Sequence, residues 1–229
     1  KNAFVDNEAT YGGGLYSHVS QSSLRDNAFL QNSAVFDGSG YGGAAYFHQS
    51  QSTLTNTLVA RNRATSLGGG FYVSTESDLR LVHTTLVGLN GDDLLAPNEG
   101  DDTGLYVASG SVALTNTILV GHARGVYVSG VSTATLRATL LGAGSWANHV
   151  DWEGAGTLVH SGDVRGDPAF RPRPCRGGEA QVQLSHLPEV LDRATSLSTS
   201  GTHDRGGHRA SSRTPQLGGP LNDHPSSGG

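Results

Sequence analysis

Two sets of side chains in this 229-residue chain have the types and spacing that chemistry requires. Tyr16, Tyr46 and Tyr72 close successive short apolar runs, and His18 and His48 stand two residues beyond the first two. On a strand, residues two apart share a face, so the five side chains form one stripe. Aromatic rings with polar tips suit sugars, which makes the stripe a candidate carbohydrate platform. Rings repeated at strand spacing also stack on one another, and a face-to-face stack offers a ligand only its edges. Two histidines without a third ligand fall short of a metal centre. The second set is the acidic run 91–102, with Asp92, Asp93, Asn98, Glu99, Asp101 and Asp102. These hard oxygen donors suit Ca²⁺, which takes about six to eight oxygens. Their spacing matches neither an EF-hand nor a nonapeptide calcium repeat, and a hydrated loop accounts for the same residues.

Catalytic sets are harder to assemble. Acid–base work on a glycosidic bond needs two carboxylates about 5 to 9.5 Å apart. The strands supply only Asp26 and Asp78, among Asn, Thr and Ser. Gly121-His122-Ala123 lacks the second glycine of a GHG motif. His122 also falls in register with Asn7, Asn32, Asn62 and Asn90, as a turn residue in place of a ladder asparagine. The chain holds no G-x-S-x-G elbow, P-loop or H-E-x-x-H. Cys175 is the lone cysteine, so neither an internal disulfide nor a cysteine-based zinc site can form.

An internal repeat must position these residues. A Gly pair opens a short apolar run ending in Tyr, and a second apolar run ending in Asn follows. It is written as Gly12-Gly13-Gly14-Leu15-Tyr16 with 24–32, as Gly42-Gly43-Ala44-Ala45-Tyr46 with 54–62, and as Gly68-Gly69-Gly70-Phe71-Tyr72 with 81–90. Fainter copies surround Tyr106 and Tyr127. The tyrosines are separated by 30, 26, 34 and 21 residues, which suits a coil with fixed strands and variable loops. Leu54, Asn56, Leu58 and Ala60 alternate with Thr55, Thr57 and Val59, the period of a strand. Stacked in parallel, the copies place like on like. Three inward ladders are expected: Leu24, Leu54, Leu81, Leu114, Leu136; Leu15, Ala45, Phe71, Leu105, Val126; and Asp26, Asn56, Asn116. The expected architecture is all-β, a single-stranded right-handed parallel β-helix over 1–170.

Net charge is −5, with Lys+Arg 15 against Asp+Glu 20, so no basic footprint points to nucleic acid. No apolar run approaches the roughly 20 residues of a membrane span. Gly 33 and few aromatics fit a turn-rich β protein. From 171 to 229 the chain has no aromatic residue and is crowded with Gly, Ser, Pro, Arg and His. Such a segment cannot offset its ordering entropy, so a largely disordered tail is expected. A shift of reading frame would also produce the abrupt loss of pattern after Phe170.

Phe4-Val5-Asp6-Asn7 and Phe29-Leu30-Gln31-Asn32 resemble the FxxN half of the chlamydial polymorphic outer-membrane protein repeat, and Gly42-Gly43-Ala44-Ala45 resembles its GGA half. The resemblance is good from Lys1 to about Gly91 and thin beyond. Asp167-Pro168-Ala169-Phe170 is similar to the DPxF stretch with which related bacterial β-helix proteins leave the coil, which makes a degenerate closing segment the alternative to a disordered tail for 171–229. The resemblance implies a β-helix at the cell surface or outside the cell, and implies little about activity. A non-catalytic protein for display, adhesion of a polysaccharide or host-surface ligand, or length alone is therefore expected. The alternative is a carbohydrate-active enzyme, lyase or hydrolase, with its site outside or at the edge of this chain. The first residues already lie inside a copy, with no charged-then-apolar leader, so a fragment or processed product is expected. Its open first rung would then favour end-to-end self-association.

Overall fold

In a computed structural model the residues described are 1–35, 39–88, 100–174 and 180–183. Among the described residues the regular structure is nearly all strand, chiefly in parallel sheets whose members come from successive copies of the repeat. Each turn of the solenoid-like stack crosses three principal sheets. The tyrosine sheet holds Leu15–His18, Ala45–His48, Phe71–Ser74, Thr103–Val107, Arg124–Val128 and Val150–Glu153. The hydroxyl sheet follows, with Gln21–Arg25, Gln51–Thr55, Ser77–Val82, Gly110–Thr115, Thr133–Arg137 and Thr157–Ser161. The third, the asparagine sheet, begins at Ala3–Val5 and Ala28–Leu30 and runs through Leu58–Ala60 to Val164–Gly166. A small sheet of Glu8–Ala9, Ser33–Ala34 and Arg63–Ala64 precedes the Gly pairs. Ala3–Val5, Leu15–His18 and Gln21–Arg25 are the outermost members of their sheets.

Register places the first two expected ladders as read. Leu24, Leu54, Leu81, Leu114 and Leu136 are successive partners. So are Leu15, Ala45, Phe71, Leu105 and Val126. Leu54, Leu81, Leu114 and Leu136 are fully buried and belong to one continuous core with Phe29, Phe47 and Phe71. No copy can bury this face alone, so the stack is its own core.

The third ladder is corrected by the structure. Asp26, Asn56 and Asn116 are not inward; they stand at the corner between the hydroxyl and asparagine sheets with φ of 57°, 50° and 49°. Asn56 Nδ2 donates to Asp26 Oδ1 at 3.2 Å, but His83 occupies the next corner and Asn116 is exposed. Asn and Asp tolerate this left-handed conformation better than most residues, which explains their presence. The same corner breaks the alternation across Leu54–Ala60. Two strands meet there, and Thr57 and Val59 turn inward with Leu54, whereas Leu58 joins a separate small cluster with Ala28 and Leu30.

The inward amide ladder belongs to the asparagines that end each copy. Asn7 Nδ2 donates to Asn32 Oδ1 at 2.8 Å, and Asn32 Nδ2 to Asn62 Oδ1 at 2.9 Å. The backbone N–H groups of Asn7 and Asn32 donate to the same oxygens. Asn32 is fully buried and every part of its amide is paired, as burial of a polar group requires. His122 takes this position further along, its N–H donating to Asn148 Oδ1 at 3.0 Å.

The Gly pair has two different causes. Gly12, Gly42 and Gly68 have φ of 60°, 70° and 72°, where a side chain is disfavoured. Gly13, Gly43 and Gly69 instead sit where rungs touch: a Cβ on Gly43 would lie 2.3 Å from both the Arg63 and Gly69 carbonyl oxygens. Past the coil, Arg171–Pro174 pairs antiparallel with Ala180–Gln183. The rest of the segment expected to be a disordered tail lies outside the described residues.

Candidate functional site

On the tyrosine sheet, period-2 alternation turns Leu15 and Ser17 inward and Tyr16 and His18 outward, and each later rung repeats this. Tyr16, Tyr46, Tyr72, Tyr106 and Tyr127 are successive register partners, and His18 pairs with His48. A second column stands beside the first. Tyr11 and Tyr41 precede the Gly pairs and form a parallel bridge, and Tyr41 bridges on to Leu67. The chain's seven tyrosines thus all lie on this one face.

Sequence reasoning gave only the first column. Tyr11 and Tyr41 belong to no strand, so strand periodicity could not find them. The signal was Tyr-Gly-Gly, because a residue beside a fixed tight turn is held as firmly as one in a strand.

The two columns change how the rings meet. In the first column, face-to-face stacking holds at the far end, where Tyr106 and Tyr127 lie 4.6 Å apart at 17° and Tyr72 and Tyr106 lie 5.4 Å apart at 22°. In the second column Tyr11 and Tyr41 are also near parallel, at 6.1 Å and 16°. Nearer the first rungs the rings splay: Tyr16 and Tyr46 meet at 47°, Tyr11 and Tyr46 at 58°, and Tyr46 and Tyr72 at 84°. The expectation that the stripe shows only edges is corrected there. Interleaving the second column leaves no room for a single parallel stack. Tyr11, Tyr16, Tyr41, Tyr46, Tyr72 and His48 line a cleft of about 330 Å³. Tyr11 and Tyr16 are nearly half exposed, at 47% and 46%.

Polar groups fix the cleft's floor. Ser74 Oγ donates to Tyr46 Oη at 2.9 Å, and His48 Nδ1 lies 3.3 Å from Tyr46 Oη, Ser74 Oγ and Thr75 Oγ1. His18 packs on His48 with ring centroids 5.0 Å apart. The adjoining corner carries Val19, Gln49 and Thr75 at φ of 45°, 49° and 52°, a costly conformation for the β-branched pair.

Burial raises the Tyr46 and Tyr106 phenols above their usual range and pushes Tyr72 up to about 12, with neighbouring phenols adding to it. Tyr46, Tyr72 and Tyr106 are thus held in the neutral, proton-donating form well beyond physiological pH. Folded values lie above the unfolded value of about 10, so this contribution to stability is complete below about pH 10 and lost as pH rises towards about 12. Phenolate absorbance should show part of the tyrosines ionising late, together with loss of β-sheet circular dichroism. One transition near pH 10 for all tyrosines, with the fold intact, would contradict the packing.

The acidic set is divided. Asp92, Asp93, Asn98 and Glu99 lie outside the described residues. Asp101 Oδ2 accepts the Gly68 N–H at 2.8 Å, while its Oδ1 accepts Thr103 Oγ1 at 2.7 Å and Arg124 at 3.2 Å. Asp102 pairs with His122 Nδ1 at 3.1 Å and accepts the Ala123 N–H at 3.2 Å. Both carboxylates are buried and knit neighbouring rungs together. Among the described residues no three His, Cys, Asp or Glu side chains converge on a metal position. None of the described helices is long and apolar enough to cross a membrane. The chain matches no protein-family model, no curated protein and no solved structure.

Proposed function

We propose that the chain is a stretch of right-handed parallel β-helix from a secreted or surface-displayed repeat protein, and that its tyrosine face holds a carbohydrate without transforming it. The splayed double column of tyrosines carries this reading. Tilted rings expose faces on which the C–H surfaces of a sugar pack, while phenol and imidazole tips meet its hydroxyls. The FxxN and Gly-Gly motifs, which resemble the chlamydial outer-membrane repeats, support the extracellular setting. The non-catalytic part is supported by acids that are already engaged. Asp26 accepts from Asn56 at a corner and Asp78 from Ser111 on the hydroxyl sheet. Asp151 and Glu153, on the last strand of the tyrosine sheet, pair with Arg165 and Arg124.

The test is binding of the full chain to a panel of neutral oligosaccharides by calorimetry, with product analysis alongside. Tyr11→Ala and Tyr46→Ala should each weaken binding about fivefold, since one ring contact contributes roughly 1 kcal/mol. Affinity unchanged from the parent in both variants would sink the cleft. New reducing or unsaturated sugar ends would favour an enzyme instead, and no binding to any glycan would favour a stalk.

A further inference from the structure

The hydroxyl sheet presents a second surface, separate from the tyrosine cleft. Its outward side chains line a shallow trough of about 620 Å³, built from serine and threonine hydroxyls and the amides of Gln21 and Gln51. Across this face the charge is lopsided. Arg25, Arg80 and Arg137 point outward and are exposed, against a single outward acid, Asp78, which accepts a hydrogen bond from Ser111. Among the described residues none of these three arginines forms an ion pair. Asp26 and Glu76 stand on the bordering corners, Asp26 already bonded to Asn56. A positive face on a chain of net charge −5 runs against the overall balance.

The arginines are also evenly spaced. Partners run Arg25, Thr55, Val82, Thr115, Arg137, which sets Arg25 and Arg137 in one column. Arg80 lies on the middle rung, two residues earlier and so one column across. Successive arginines are two rungs apart, roughly 10 Å along the stack at about 4.8 Å per rung. Guanidinium groups favour planar carboxylate or sulfate partners, and the hydroxyls between them suit a polyhydroxylated chain.

We infer that this face binds a linear acidic polysaccharide along the stack, its regularly placed anionic groups pairing with Arg25, Arg80 and Arg137. Single-stranded nucleic acid fits less well, because the trough offers no aromatic ring on which bases stack. The proposal does not depend on the tyrosine cleft.

The experiment is affinity electrophoresis of the full chain in gels holding polygalacturonate, heparin or dextran, repeated at low and high salt. The carboxylated or the sulfated polymer, or both, should retard the chain, and salt should relieve the retardation. Arg80→Gln should weaken retardation about tenfold, and the triple variant R25Q/R80Q/R137Q should abolish it. Tyr46→Ala should leave it unchanged. Circular dichroism of the triple variant, whose altered side chains are all exposed, checks that the stack is intact. The inference is overturned if neither acidic polymer retards the chain, or if a folded triple variant is retarded like the parent. It is also overturned if a single-stranded oligonucleotide competes better than polygalacturonate and heparin.

Discussion

Alanine at Gly43 should force two junctions of the stack apart and cost roughly 3 kcal/mol, the upper range for overpacking a tight site. The added Cβ would meet the Arg63 and Gly69 carbonyl oxygens at 2.3 Å, and neither is the free end of a side chain. Relief requires moving backbone that also carries the bonds from Gly43 N–H to Gly68 O at 3.0 Å and from Gly14 N–H to Gly43 O at 3.3 Å. The cost is a large part of the roughly 5 to 15 kcal/mol that holds a domain folded. Gly130→Ala is the control, since nothing lies within 4 Å of its Cβ position. Urea unfolding should show a much lower midpoint for Gly43→Ala and little change for Gly130→Ala. Equal midpoints would mean the rungs are not in contact at Gly43.

Leu54→Asp should be worse, because it adds an unpaired charge to a lost apolar contact. Leu54 is fully buried between Leu24 and Leu81 in the central column, with no cation in the surrounding cluster. Truncation alone, as in Leu54→Ala, costs roughly 2 to 5 kcal/mol. The carboxylate adds a desolvation cost of several kcal/mol or must bind a proton to avoid it. Leu54→Ala should fold with reduced stability, whereas Leu54→Asp should lose its β signal at neutral pH. A stable Leu54→Asp chain at neutral pH would place Leu54 outside the stack.

These two sites also show what the sequence makes legible. Leu54 and Gly43 recur at fixed offsets from the tyrosines, so like residues could be aligned before any coordinates. Parallel register then follows from a core that no single copy can close. The corners were opaque because backbone geometry there is shared while residue type is not: Asp26, Asn56, His83, Asn116 and Ala138 all take φ of 49° to 57°. Each corner resets the alternation, which is why Thr57 points inward and Asn56 does not. The tyrosine face was half legible. Its first column follows from alternation, whereas ring tilt depends on Tyr11 and Tyr41, which reach the face across a Gly-Gly turn. The arginine face was within reach of the sequence, because Arg25 and Arg137 follow Leu24 and Leu136 and Arg80 precedes Leu81 in the aligned ladder. That they are exposed and, among the described residues, without ion pairs needed coordinates.

The tyrosines make the central claim directly measurable, since all seven report on one face. Ring-¹³C-labelled tyrosine spectra should be recorded while the full chain is titrated with the neutral oligosaccharide that binds best. Tyr11, Tyr16, Tyr41, Tyr46 and Tyr72, assigned by single Tyr→Phe variants, should shift with one common affinity. Tyr106 and Tyr127, stacked at 17°, should stay in place. Saturating ligand that leaves the five cleft signals unmoved, or shifts only Tyr106 and Tyr127, would contradict the account.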